Sequence, residues 1–159
     1  MERGEHRTTQ RNTSSIAWLD RHTRNPTPVR VIWDRTTSAP RSAADLWGNT
    51  THGKQHYWLD VSGLEPGSPE IVARVDRAKN LVVLETLGQT VRLLLKDSML
   101  ELDEPIVVEL DGTRRNIQVK RSLDTMVKTL EQRGDPSHLY VASITAKRGP
   151  GVLILSTGK

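Results

Sequence analysis

The sequence predicts a mainly β fold: an antiparallel β-sandwich or barrel with one helix inserted near residues 122–134 and a helical arm at the N-terminus. Three observations carry this expectation. Short strand-like segments recur every 8–14 residues from Gln55 onward, a spacing typical of antiparallel sandwiches and barrels. Turn-forming pairs separate several of them: Lys79-Asn80, Gly88-Gln89 and Asp111-Gly112. One segment interrupts the series with apolar residues at helical rather than strand period.

The elements follow in chain order. The first dozen residues are polar and aperiodic. Ser14 or Ser15 then offers a side-chain cap to a helix reaching Arg24, with Ile16, Leu19 and Trp18 as a short apolar face. Asn25-Pro26-Thr27-Pro28 ends it, because each proline disfavours helical geometry in the residue before it. Val29–Trp33 alternates as a strand. Residues 35–53 are rich in Thr, Ser, Ala, Asn and Gly and read as a long surface loop with room for a helical turn around Ala43–Trp47.

Gln55–Val61 reads as one strand with Tyr57, Leu59 and Val61 on one face, followed by the turn-rich stretch Ser62–Pro69. The next strand candidates are Ile71–Val75, Leu81–Leu87, Val91–Leu95, Ile106–Leu110, Asn116–Lys120 and Leu139–Ala146. Asp111-Gly112 is the strongest hairpin signal, since a type I′ turn needs positive φ at both central residues. Ser122 caps a helix over Leu123–Arg133, which Gly134 closes with Pro136 just beyond. Its Leu123, Met126, Val127 and Leu130 fall at i, i+3, i+4 and i+7. That single-sided stripe predicts packing on a sheet or over an open end of the sandwich. Gly149-Pro150-Gly151 breaks the last long strand, and Val152–Leu155 reads as a further edge strand.

Composition narrows the chemistry. The 159 residues are 35% hydrophobic, enough for one modest core and too many for a disordered chain. Cysteine is absent, which excludes disulfide scaffolds, thiolate zinc sites and Cys nucleophiles. No apolar run is long enough to span a bilayer. The first 35 residues hold seven arginines against four acids, while the rest is close to neutral. Such an arm reads as a solvated or partner-facing surface; binding to phosphate backbones is the alternative.

No self-contained catalytic motif is present. Gly-x-Ser-x-Gly, the Walker sequence and Gly-x-Gly-x-x-Gly are all missing. His52 and His56 are four apart at a loop-to-strand boundary; on a strand that places them roughly 13 Å apart, too far to chelate one ion directly. Glu101-Leu102-Asp103-Glu104 lacks the glycine-centred ligand pattern of calcium loops and reads as a solvated turn. No metal site and no cofactor site is therefore expected. Four tryptophans, at 18, 33, 47 and 58, fit core or interface packing, or a ligand-stacking platform.

The most distinctive stretch runs from Leu93 to Val108, through Leu102-Asp103-Glu104-Pro105, and continues to Asp111-Gly112, Arg121-Ser122 and Arg133-Gly134-Asp135-Pro136. Over Val91–Ile144 it resembles the C-terminal domain that follows the catalytic domain in certain bacterial α/β-hydrolases. Those are the polyhydroxyalkanoate-depolymerase-like esterases and the prolyl-oligopeptidase-like peptidases. Upstream, Trp18–Pro28 resembles the last helix of such a catalytic domain, and His56-Tyr57-Trp58-Leu59 its following aromatic strand.

The resemblance implies an immunoglobulin-like accessory sandwich over residues 29–159, with residues 1–28 corresponding to the end of a catalytic domain. It implies a non-catalytic domain, detached or truncated, whose partner is a catalytic α/β-hydrolase domain on the same or a separate chain. Trp18, Arg21, Arg24, Trp33 and Trp58 would form the interface. His6, in Gly4-Glu5-His6, is the one triad-histidine candidate; Glu5 splits the family's Gly-His pair, and the Ser and Asp partners would lie before Met1. Neither a membrane nor a nucleic acid is an expected partner, and a natural start at Met1 would make the chain cytoplasmic. Two alternatives stay open: a carbohydrate- or polyester-binding sandwich using aligned tryptophans, and nucleic-acid binding by the basic arm.

Overall fold

A computed structural model describes residues 25–33, 55–63, 70–86, 90–149 and 152–158. The expected N-terminal helix and the turn near Trp47 lie outside the described residues. Among the described residues ten strands form two five-stranded sheets, so the chain is mainly β. The strands are β1 (Arg30–Trp33), β2 (Gln55–His56), β3 (Leu59–Asp60), β4 (Ile71–Asp76) and β5 (Leu81–Thr86), then β6 (Thr90–Leu95), β7 (Ile106–Leu110), β8 (Thr113–Ile117), β9 (Ala142–Gly149) and β10 (Val152–Thr157). One helix, α1 (Leu123–Arg133), joins β8 to β9. The first sheet has the order β1-β4-β5-β7-β8 and the second β10-β9-β6-β3-β2. One apolar cluster joins them, drawing Val31, Ile71 and Ile106 from the first and Leu59, Leu93 and Ile144 from the second.

The alternation of side chains explains most placements. In β1, Val31 and Trp33 are buried while Arg30 and Ile32 are exposed, the period-two pattern of a half-buried strand. In β7, Ile106, Val108 and Leu110 point inward in the same way. Asp111 and Gly112 take φ of 50° and 75°, the positive pair that the Asp-Gly turn requires. Because this turn is only two residues long, Thr113 already pairs with Leu110, so β8 starts and ends earlier than the expected Asn116–Lys120.

Three further departures have local causes. Gln55–Val61 is a tight hairpin of β2 and β3, turned at Tyr57 (φ 53°) and Trp58, and not one strand. A left-handed tyrosine costs about 1–2 kcal/mol. Burying an indole of roughly 150–250 Å² returns about 4–6 kcal/mol at 25 cal/mol per Å². Trp58 is fully buried, and its Nε1 donates to Pro28 O at 2.8 Å, so the turn is the favoured outcome.

β9 begins at Ala142 rather than Leu139, because the preceding backbone is committed elsewhere. Leu139 N donates to Pro136 O (3.2 Å), Val141 N to Leu95 O (2.8 Å), and Val141 O accepts from Ser122 N (2.7 Å).

The third departure is the parallel pairing of β5 with β7, which makes the first sheet mixed rather than wholly antiparallel. Asn80 holds this arrangement. It takes the left-handed conformation (φ 47°) behind a 3-10 turn whose cap is Asp76. Its Nδ2 then donates to Glu101 O (3.0 Å) and Pro105 O (3.2 Å), and its Oδ1 accepts from Glu101 N (2.9 Å). Val107 N donates to Asn80 O at 3.0 Å, which sets β7 alongside β5.

Candidate interaction surface

The ends of α1 fall where the sequence places them. Ser122 accepts from Thr125 N (3.4 Å), and Gly134, at φ 62°, donates to Leu130 O (2.6 Å). Its orientation is the reverse of the expectation. The Leu123, Met126, Val127 and Leu130 stripe does not pack on a sheet: Leu123 is 78% exposed, Val127 53% and Leu130 43%, with Met126 half-buried. Thr125 and Thr129 are the buried residues of the helix.

Hydrogen bonds account for this choice. Thr129 Oγ1 donates to Thr125 O (3.0 Å) and accepts from Tyr140 N (3.2 Å), so a buried hydroxyl satisfies the amide of a fully buried tyrosine. At the far end Arg133 donates to Gln55 O at 2.8 Å, which ties the helix to β2. At the near end the Arg121 guanidinium bonds both Asp97 and Asp103, holding each carboxyl below the usual carboxylate range. With 100° per residue, seating α1 on Thr125, Thr129 and Arg133 turns the apolar stripe roughly a third of a turn away from the sheets. Lys128 and Asp124, both exposed, pair at 2.7 Å on the helix.

A second cluster sits just beyond α1. His138 is buried, and its Nδ1 lies 2.8 Å from Asp135 Oδ2 and 3.1 Å from Ser137 Oγ. Ser137 Oγ and N both donate to Asp135 Oδ1, at 2.7 and 2.8 Å. These bonds, the hydroxyl first, and then His138 pull the Asp135 carboxyl down to about 2. The three residue types are those of a hydrolase triad, but Ser and Asp share one ring nitrogen. A general base needs the nucleophile at one nitrogen and the orienting acid at the other, so this group is a turn cap. Lys96 Nζ closes the cluster by donating to Ser137 O (2.8 Å) beneath the Tyr140 ring.

The sequence-predicted site residues separate into two groups. Trp33 and Trp58 are core residues, 6% and 0% exposed, and present no face to a partner; this corrects their assignment to an interface. Burial in the central cluster also removes both from any stacking platform. His6, Trp18, Arg21 and Arg24 lie outside the described residues. Among the described residues no group of three or more His, Cys, Asp or Glu side chains is arranged to hold a metal ion. Within the acidic run, Glu101 pairs with Arg77 (3.2 Å) and Asp103 with Arg121 (2.5 Å).

The exposed stripe is what sequence reasoning missed. Nothing within α1 signals it: Thr129 Oγ1 is buried against the Tyr140 amide, while Thr125 Oγ1 is buried with no hydrogen-bond partner among the described residues. No protein-family model, curated protein or solved structure matches this chain.

Proposed function

We propose that this chain is a non-catalytic accessory domain, an immunoglobulin-like sandwich that docks on a catalytic partner. The family resemblance over Val91–Ile144 makes that partner an α/β-hydrolase catalytic domain of the esterase or peptidase kind. The observation that carries the reading is the outward apolar stripe of α1, on a helix fixed at both ends. Exposed contiguous apolar surface on a rigid element is the usual mark of a contact face. Trp33 and Trp58, both buried, do not contribute to it.

The test uses the purified chain and a catalytic domain of the resembled class added in trans. Val127→Glu with Leu130→Glu should abolish co-elution and leave the thermal midpoint of the chain within a few degrees, since both side chains already face water. Turnover of a short-chain ester by the isolated chain, blocked by a serine-directed inhibitor, would overturn the non-catalytic reading.

A further inference from the structure

The four outer strands of the two sheets are not equivalent. β2 is two residues long and β1 four, too short to template much pairing. β8 carries Arg114 and Arg115, charges that discourage an added strand. β10 has neither protection. It is six residues, Val-Leu-Ile-Leu-Ser-Thr, with no charge, no proline and no register shift along its pairing with β9.

Its free edge is defined by the register. Val152 pairs with Gly149 and Thr157 with Ile144, and Gly158 N donates to Ser143 O at 3.1 Å. Antiparallel strands alternate the direction of their polar groups. Even-numbered residues therefore bond β9, while the amides and carbonyls of Leu153, Leu155 and Thr157 face away from the sheet. Among the described residues no backbone group bonds them, and β8, which runs nearby, shares no ladder with β10. On the outer face Val152 and Ile154 are 44% and 50% exposed.

We infer that β10 is a strand-pairing edge and that its occupant is β10 of a second copy, antiparallel, with the two-fold axis at Ile154. Identical antiparallel strands about such an axis are self-complementary, each free N–H meeting a free C=O. Leu153 then exchanges hydrogen bonds with Leu155 of the other copy, Ile154 meets its own equivalent, and Val152 meets Ser156. No like charges oppose one another within the strand. The nearest exposed charge on that face is Lys147, directly across from Ile154 on β9. In the pair the two Lys147 would stand roughly 14 Å apart, three strand spacings, beyond the ~8 Å screening length at physiological salt. The pairing uses one edge of each copy and closes, so it gives a dimer and not a fibre.

The chain has no cysteine, so one introduced thiol reports on one contact. In the full chain, light scattering after size exclusion should give twice 17.9 kDa. Ile154→Lys should return it to 17.9 kDa with an unchanged circular dichroism spectrum. Ile154→Cys should cross-link under mild oxidation at least tenfold faster than Ser156→Cys, whose thiols stand four residues apart along the paired strands. A wild-type monomer at hundreds of micromolar overturns the inference, as does equal cross-linking at both positions. A dimer that survives Ile154→Lys and is lost with Val127→Glu also overturns it, by moving the contact to α1.

Discussion

The strands and the helix of this chain treat apolar residues in opposite ways. In β1 and β7 the pleat sends Val31 and Ile106 into one core and turns the alternate residues away from it. In α1 the apolar stripe is outward and two threonines are inward. The difference teaches what decides orientation in each case. A strand has one buried face and a fixed period, so the side chains settle the matter. A helix lying on a sheet end is also held by its backbone neighbours, and here Tyr140 N, Gln55 O and Val141 O determine which way it faces.

Four measurements break or sharpen that contrast. Trp58→Ala should be the most damaging, costing about 3–5 kcal/mol in urea unfolding, because it empties the centre of the cluster and frees Pro28. A loss below 1 kcal/mol would mean that the strand half is not packed as described. Asn80→Ala should cost about 2–4 kcal/mol, the sum of three modest hydrogen bonds and a left-handed residue. Asn80→Gly, which relieves only the backbone, should recover part of it.

In the helix the order of effects is inverted relative to hydrophobicity. Thr129→Val should cost about 1–3 kcal/mol by orphaning the Tyr140 amide, whereas Leu130→Ser should change stability by less than about 0.5 kcal/mol. Thermal denaturation of the two variants side by side checks the ranking, and a reversal would place the stripe in the core. The smallest effect is acidic. The Asp135 carboxyl is held down to about 2 by Ser137 and His138, so it contributes stability above its ordinary value near 3.8. That contribution should disappear as pH falls from 3.8 towards 2, and Asp135→Asn should flatten this limb of the acid-unfolding curve.

Local signals were legible where the structure obeys local rules. Ser122 and Gly134 bound α1, and Asp111-Gly112 turns β7 into β8, because caps and type I′ turns are specified within four residues. The β2–β3 hairpin was not legible, since a tyrosine at positive φ is no turn signal and its cause, Pro28, lies 30 positions away from Trp58. The parallel β5–β7 pair was not legible either. It rests on an asparagine reaching 21 and 25 positions along the chain. At the candidate site, tryptophan content drew attention to Trp33 and Trp58, which the core absorbs. The exposed stripe depends on Tyr140, and no periodicity within α1 records that dependence.

Two aromatic side chains hold the chain just ahead of β1: Tyr140 hydroxyl donates to Pro26 O at 3.3 Å and Trp58 to Pro28 O at 2.8 Å. Neither aromatic belongs to the edge strand β1, and both are among the largest fully buried side chains. The consequence is mechanical. Tension arriving from upstream of Asn25 loads the middle of the sandwich before it can peel β1 from β4. The prolines thus act as a cleat, and a force-extension trace should show Tyr140→Phe yielding at lower load than the parent chain, at nearly equal thermal stability.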